Sequence, residues 1–197
     1  MRPIILNPAT TATSDLDDAA LLARSLDEPA AFDHVFERHH SVVYRYLVSR
    51  LGIGAAEDAV AETFLAAFAT RGRFDPARGT SAVPWLLGIA TKRIARHRRA
   101  VRQHFAEAVA AAQSSTATND TDDRSIARSD AASLAPALAG ALQHLSARER
   151  EPLLLHVLGD LSYEEVAAAL SLPIGTVRSR ISRARTRLAG IMDGVAR

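Results

Sequence analysis

The chain has 197 residues, of which 48% are hydrophobic and 5% aromatic, with a formal net charge of +2 and no cysteine. That content is too apolar for full disorder, and the missing thiols exclude a disulfide scaffold, an iron–sulfur cluster and a cysteine nucleophile. No apolar run approaches the ~18 residues that cross a bilayer, and Met1–Asp18 has no apolar segment of the secretory kind, so a cytoplasmic location without membrane insertion is expected.

Alanine fills much of the apolar share, which suits packed helices better than sheets. In chain order, residues 14–26 predict a short helix: Ser14 stands at the cap position, and Leu16, Ala19, Ala20, Ala23 and Leu26 keep a helical period. Pro29 opens a longer helix with Phe32, Val35, Phe36, Val43, Tyr46 and Leu47 on one stripe, and Gly52 ends it. His39 and His40 read as surface residues of that helix. A third helix is expected over 55–69, with Val60, Phe64, Ala67 and Phe68 on one face. Gly72, Pro76 and Gly79 mark 72–81 as a loop. Pro84 suits the first turn of a fourth helix reaching Arg102. At this spacing Trp85 and Ile89 read as core.

From 104 to 133 the pattern fades into a flexible linker, most clearly over the polar stretch 113–123. The Asn119–Asp123 cluster lacks the turn glycine and terminal glutamate of a calcium loop, and no metal or cofactor is expected. Helical pattern returns at Leu134. Leu161 to Leu170 is a short helix whose Ser162 and Glu165 have capping-box spacing. Ser171–Gly175 is a turn, in which Pro173 hinders helix continuation and Gly175 relaxes the backbone. The helix after it buries Val177, Ile181, Ala184, Leu188 and Ile191, spaced four and three apart. Ser179, Ser182, Arg183 and Thr186 point the other way, with Arg178, Arg180, Arg185 and Arg187 on the flanks. Slim polar groups bordered by guanidinium forks are what reading a major groove needs.

Charge is segregated as well. Residues 71–102 hold nine Arg or Lys against one acid, and 176–188 hold five Arg and no acid. Two such blocks around an acidic spacer point to two polyanion-binding surfaces. In the first block basic and aromatic side chains stand together, which suits unstacked bases; the helical wheel there gives nucleic acid without giving the mode.

Together these stretches resemble an RNA polymerase sigma factor of the extracytoplasmic-function (ECF) type. The first match runs through Phe36-Glu-Arg-His-His40, Glu57-Asp-Ala-Val-Ala-Glu-Thr-Phe-Leu65, Phe74-Asp-Pro-Ala-Arg-Gly79 and Pro84-Trp-Leu-Leu-Gly-Ile-Ala-Thr91, in the order of region 2. The second runs from Leu145-Ser-Ala-Arg-Glu-Arg-Glu151 to Pro173-Ile-Gly-Thr-Val-Arg-Ser-Arg-Ile-Ser-Arg-Ala-Arg-Thr-Arg187, in the order of region 4. The resemblance implies an all-α chain: an N-terminal extension (1–28), a region 2-like domain (29–103), a linker (104–133) and a region 4-like helix-turn-helix domain (134–197).

It implies transcription initiation, with core RNA polymerase (β′ clamp helices and β flap) and promoter DNA as partners and an anti-sigma factor as an optional one. By position, Asp58, Glu62, Thr63 and Leu65 would meet the polymerase. Phe74, Arg78, Thr80, Ser81, Lys92, Arg93, Arg96 and Arg99 would hold the single-stranded −10 element, and Arg178, Ser179, Ser182, Arg183 and Thr186 would read the −35 duplex. Ala61 stands where many relatives carry Gln, so that clamp contact does not carry over, and Lys92 stands where many carry Asn, so their −10 base preference does not carry over. Three rival readings fit less of the chain. There is no phosphate loop, His-Glu-x-x-His or Gly-x-Ser-x-Gly for an enzyme. A stand-alone dimeric helix-turn-helix regulator leaves 32–99 unexplained, and a protein-only adaptor has no use for the Arg-rich faces.

Overall fold

The computed structural model describes residues 16–113 and 134–195, which hold eight α-helices and no strand. α1 (Asp18–Arg24) is capped by Asp17, whose carboxylate accepts from the Ala20 amide at 2.8 Å. The expected cap, Ser14, lies outside the described residues. The buried positions are Asp18, Leu21 and Leu22, whereas Ala23 and Leu26 face solvent. The expected stripe is therefore rotated. Burying two adjacent leucines gains more than burying an alanine-rich face, at about 25 cal/mol per Å² of apolar surface.

A 3₁₀ turn at Pro29–Ala31 leads into α2 (Phe32–Leu51), and Gly52, at φ +79°, ends it by donating its amide to Val48. α3 (Ile53–Thr70) buries Val60, Phe64 and Ala67, with Phe64 edge-on to a half-exposed Phe36. Two 3₁₀ turns, Arg71–Arg73 and Pro76–Arg78, form the expected loop before α4 (Val83–Gln113). α4 outruns its predicted end by eleven residues, so 104–113 are helix where linker was expected. Alanines, the best helix formers, recur through this extension, and Gln103 donates to Glu107 one turn on. The rest of the expected linker, with the Asn119–Asp123 cluster, lies outside the described residues.

The second bundle comprises α5 (Leu134–Gln143), α6 (Ala147–Leu158), α7 (Tyr163–Leu170) and α8 (Ile174–Val195). The predicted capping box is present: the Glu165 amide donates to the Ser162 hydroxyl at 3.2 Å, and the Ser162 amide to the Glu165 carboxylate at 2.8 Å. Such caps contribute about 1 kcal/mol. Ser171, not Gly175, takes the unusual backbone of the turn, at φ +53°. Its amide and that of Leu172 close the end of α7, while Gly175 lies inside α8.

The two bundles pack against each other, α4 on α7 and α2 on α6. Gly88 permits the first contact: a Cβ there would lie 2.8 Å from the Ala169 carbonyl oxygen. The second contact is polar. Glu151 on α6 forms an ion pair with Arg50, whose side chain is 1% exposed, and accepts from the Tyr46 hydroxyl at 2.8 Å. Tyr46 also shares a hydrogen bond with Thr91 at 2.8 Å. Burial, and the Glu151 carboxylate beside it, push the Tyr46 hydroxyl far above the ordinary phenol range, so it stays a donor. Burial and the charge of Arg50 lower the pKa of Arg98 and of Arg150. One carboxylate thus faces three crowded guanidinium groups.

Candidate nucleic-acid interface

The helix-turn-helix surface follows from α8. Val177, Ile181 and Ala184 are fully buried, and this stripe turns Arg178, Ser179, Ser182, Arg183 and Thr186 to solvent. Arg183 lies back along the helix, donating through Nε to the Ser179 carbonyl at 3.2 Å. The Ser179 hydroxyl donates to the Thr176 carbonyl and that of Thr186 to the Ser182 carbonyl. These bonds stay within one turn of an exposed helix, so exchanging them for bonds to a duplex exposes no buried group.

Two flanking arginines are not free of acids, as the block counted alone suggests. Arg187 pairs with Glu149 at 2.8 Å, and Arg178 stands 3.8 Å from Glu164. The Ser146 hydroxyl, with Arg187, holds the Glu149 carboxyl below the usual range. The partners come from α6 and α7, which a count along 176–188 does not see.

In the first bundle, Phe74 packs edge-on to Trp85 at 5.6 Å between ring centroids. Trp85 is half-buried and lines a cavity, a placement between the core role expected and a stacking platform. That cavity, about 350 Å³, is walled by Arg73, Phe74, Gly79, Ser81 and Trp85 on one side and by Glu165, Ala168 and Ala169 of α7 on the other. Thr80 and Ser81 are exposed, and Ser81 accepts from the Val83 amide at 3.3 Å, capping α4. Arg78 lies on the same loop, in the second 3₁₀ turn.

Lys92, Arg93 and Arg96 line a second groove with Arg73, Trp85 and Ile89, and Arg99 is exposed one turn further on. Arg93 reaches Glu62 at 3.6 Å. Asp58 and Glu62 in turn share a groove with Arg93, Arg96 and His97. The acids expected to meet polymerase and the bases expected to hold the −10 strand therefore adjoin across α3 and α4. Asp58 and Glu62 are exposed, and Leu65 is 69% exposed. Thr63 does not belong to this surface. It is fully buried and its hydroxyl donates to the Ala59 carbonyl at 2.6 Å, because its place on α3 turns it to the core.

His39, expected on the surface, is buried, its Nε2 lying 2.7 Å from the Asp18 carboxylate. The sequence carries no local sign of this tie, which joins residues 21 apart.

The family models for Sigma-70 region 2 and Sigma-70 region 4 match residues 35–104 and 136–188. The chain is 34% identical to the ECF RNA polymerase sigma factor SigC of Mycobacterium tuberculosis, over 90% of this chain and 94% of that one. Its fold is similar to that of CnrH in complex with the cytosolic domain of CnrY (TM-score 0.63, 26% identity, covering 90% of this chain and 97% of that one). It is also similar to the sigma factor RpoE in complex with the anti-sigma factor NepR from Bartonella quintana (TM-score 0.58, 25% identity, 83% and 98% covered).

Proposed function

The chain belongs to the RNA polymerase sigma factors of the ECF type and directs promoter-specific initiation of transcription, and from that premise we propose how its residues divide the work. Residues 29–103 are the module that docks on the β′ clamp helices and takes the melted −10 strand. The module from residue 134 onward reads the −35 duplex and meets the β flap. The observation that carries this reading is the solvent-facing row Arg178, Ser179, Ser182, Arg183 and Thr186 on the second helix of a helix-turn-helix.

Asp58, Glu62 and Leu65, all exposed on α3, form the clamp surface. Phe74, Arg78, Thr80 and Ser81 meet the unpaired −10 bases, and Lys92, Arg93, Arg96 and Arg99 guide the strand by its phosphates. Capturing those bases offsets the few kcal/mol of unstacking, so melting needs no nucleotide hydrolysis by this chain. The chain is not an enzyme, and it acts in the cytoplasm; among the described residues no helix is long and apolar enough to cross a membrane. A similar sigma factor is found with an anti-sigma factor, and such a protein is a partner here too.

Promoter elements two helical turns apart are separated by roughly 70 Å of duplex. In the free chain α7 packs against α4, and polymerase holds the two modules apart so that both elements are met. Tethering then makes the second DNA contact intramolecular. Run-off transcription with purified core polymerase and a library of genomic fragments tests the assignment. Discrete transcripts that require the chain are expected. Tight binding of a palindromic duplex without polymerase, and no transcript with it, would overturn it.

A further inference from the structure

α1 precedes the stretch matched as region 2, which starts at residue 35, yet it touches both ends of the −10 loop. At the exit, the Ala82 amide, just before α4, donates to the Asp18 carboxylate at 2.8 Å. The same carboxylate meets His39 at 2.7 Å and Arg38 at 3.0 Å, both on α2. At the entry, Arg71 donates to the Ser25 carbonyl at 3.2 Å and, through its other arm, to the Phe68 carbonyl, with its guanidinium 3.9 Å from the Phe68 ring. Leu26 packs beside Gly72, 3.5 Å from where a Cβ would sit. Residues 72–82 therefore hang between two ties to one short helix.

We infer that Asp18 is a positioning residue for −10 recognition: it fixes the exit of the loop, and with it where Phe74, Thr80 and Ser81 present themselves to an unpaired base. The inference rests on the reading of that loop as the −10 reader. Burial alone would raise the Asp18 carboxyl, but the hydrogen bonds from His39 and the Ala82 amide hold it below the ordinary range, so it is ionised when it takes the amide. A charged acceptor at the first turn of a helix also suits the helix dipole. Holding a reader within a fraction of an ångström is what separates a site that discriminates from one that merely binds. The neighbouring Asp17 offers a contrast, since it caps α1 by accepting from the Ala20 amide of that helix.

The test uses the full chain with core polymerase and compares fork-junction promoters carrying an intact or a substituted −10 element. Asp18→Ala should lower the preference for the intact element about tenfold while leaving core binding, measured by competition, within twofold. Asp17→Ala, which weakens the same helix without touching the loop, should leave the preference within twofold. Asp18→Asn keeps an oxygen for the Ala82 amide and should keep most of the preference; it also serves if the alanine variant does not fold. Equal effects of Asp17→Ala and Asp18→Ala, an Asn variant that loses the preference entirely, or parallel loss of core binding would each make Asp18 a structural residue only and overturn the inference. Phe74→Ala separates the two layers. If it leaves −10 preference intact, the reading of the loop fails and the inference with it. If it abolishes preference while Asp18→Ala does not, the inference alone fails.

Discussion

The two reading surfaces are presented differently. The outer face of α8 is open, and its polar side chains are engaged chiefly with their own helix and with single acids on α6 and α7. The −10 loop instead borders a cavity whose far wall is α7 of the other bundle. A helix that reads intact duplex can stand ready at all times, because duplex needs no preparation. A loop that takes unpaired bases is useful only after melting, and here α7 of the other bundle walls one side of it while Thr80 and Ser81 stay exposed. Access to the cavity beside the loop therefore depends on how the other bundle sits, whereas access to the outer face of α8 does not.

The largest effect should come from that interface. Glu151→Ala leaves Arg50, 7% exposed overall, beside Arg98 and Arg150 without their shared carboxylate. Breaking such a buried pair costs about 3–5 kcal/mol, so the bundles should part: the radius of gyration from small-angle scattering rises while helical circular dichroism is kept. An unchanged radius would show that Glu151 does not hold the bundles together. Gly88→Ala is a gentler wedge. Alanine improves α4 itself by nearly 1 kcal/mol, but its methyl meets the Ala169 carbonyl and overpacking costs about 1–3 kcal/mol. Binding of a single-stranded −10 oligonucleotide to the free chain should tighten, with −35 duplex binding unchanged.

On the open surface, Arg183→Ala should weaken use of a −35 promoter by roughly 1–3 kcal/mol and leave polymerase docking intact. Equal loss on a template without a −35 element would contradict that role. The smallest change is expected in salt dependence. Lys92→Ala with Arg96→Ala should flatten the salt slope of open-complex formation by about 0.7 per lost phosphate contact for a single strand, seen by titrating salt in the same assay.

Much of the open surface was legible because its logic is local. The Ser162–Glu165 box and the stripe Val177, Ile181, Ala184 are spacings within single helices, and both are present. The covered surface was less legible because its logic is long-range. Asp18 reads as one of several first-turn acids, yet its partners are 20, 21 and 64 residues away. His39, expected on a helix surface, is buried against Asp18 of α1, and the roles of Glu151 and Gly88 emerge only where the two bundles meet. Thr63 shows the converse: the family motif surrounding it is matched, but its position on the α3 wheel is inward. The start of the linker was misplaced because alanine repeats carry helix without an amphipathic pattern to announce it.

The two modules lie together in the free chain, and their proposed work on polymerase draws them apart. The chain has no native cysteine, so Glu37→Cys on α2 and Ala189→Cys on α8, both exposed, give a clean pair of labels. Their separation by spin-label or fluorescence distance measurement should take a single value set by the packed bundles in the free chain and lengthen toward the ~70 Å scale of two promoter elements when core polymerase and a fork promoter are added. The same distance in both states would contradict the account.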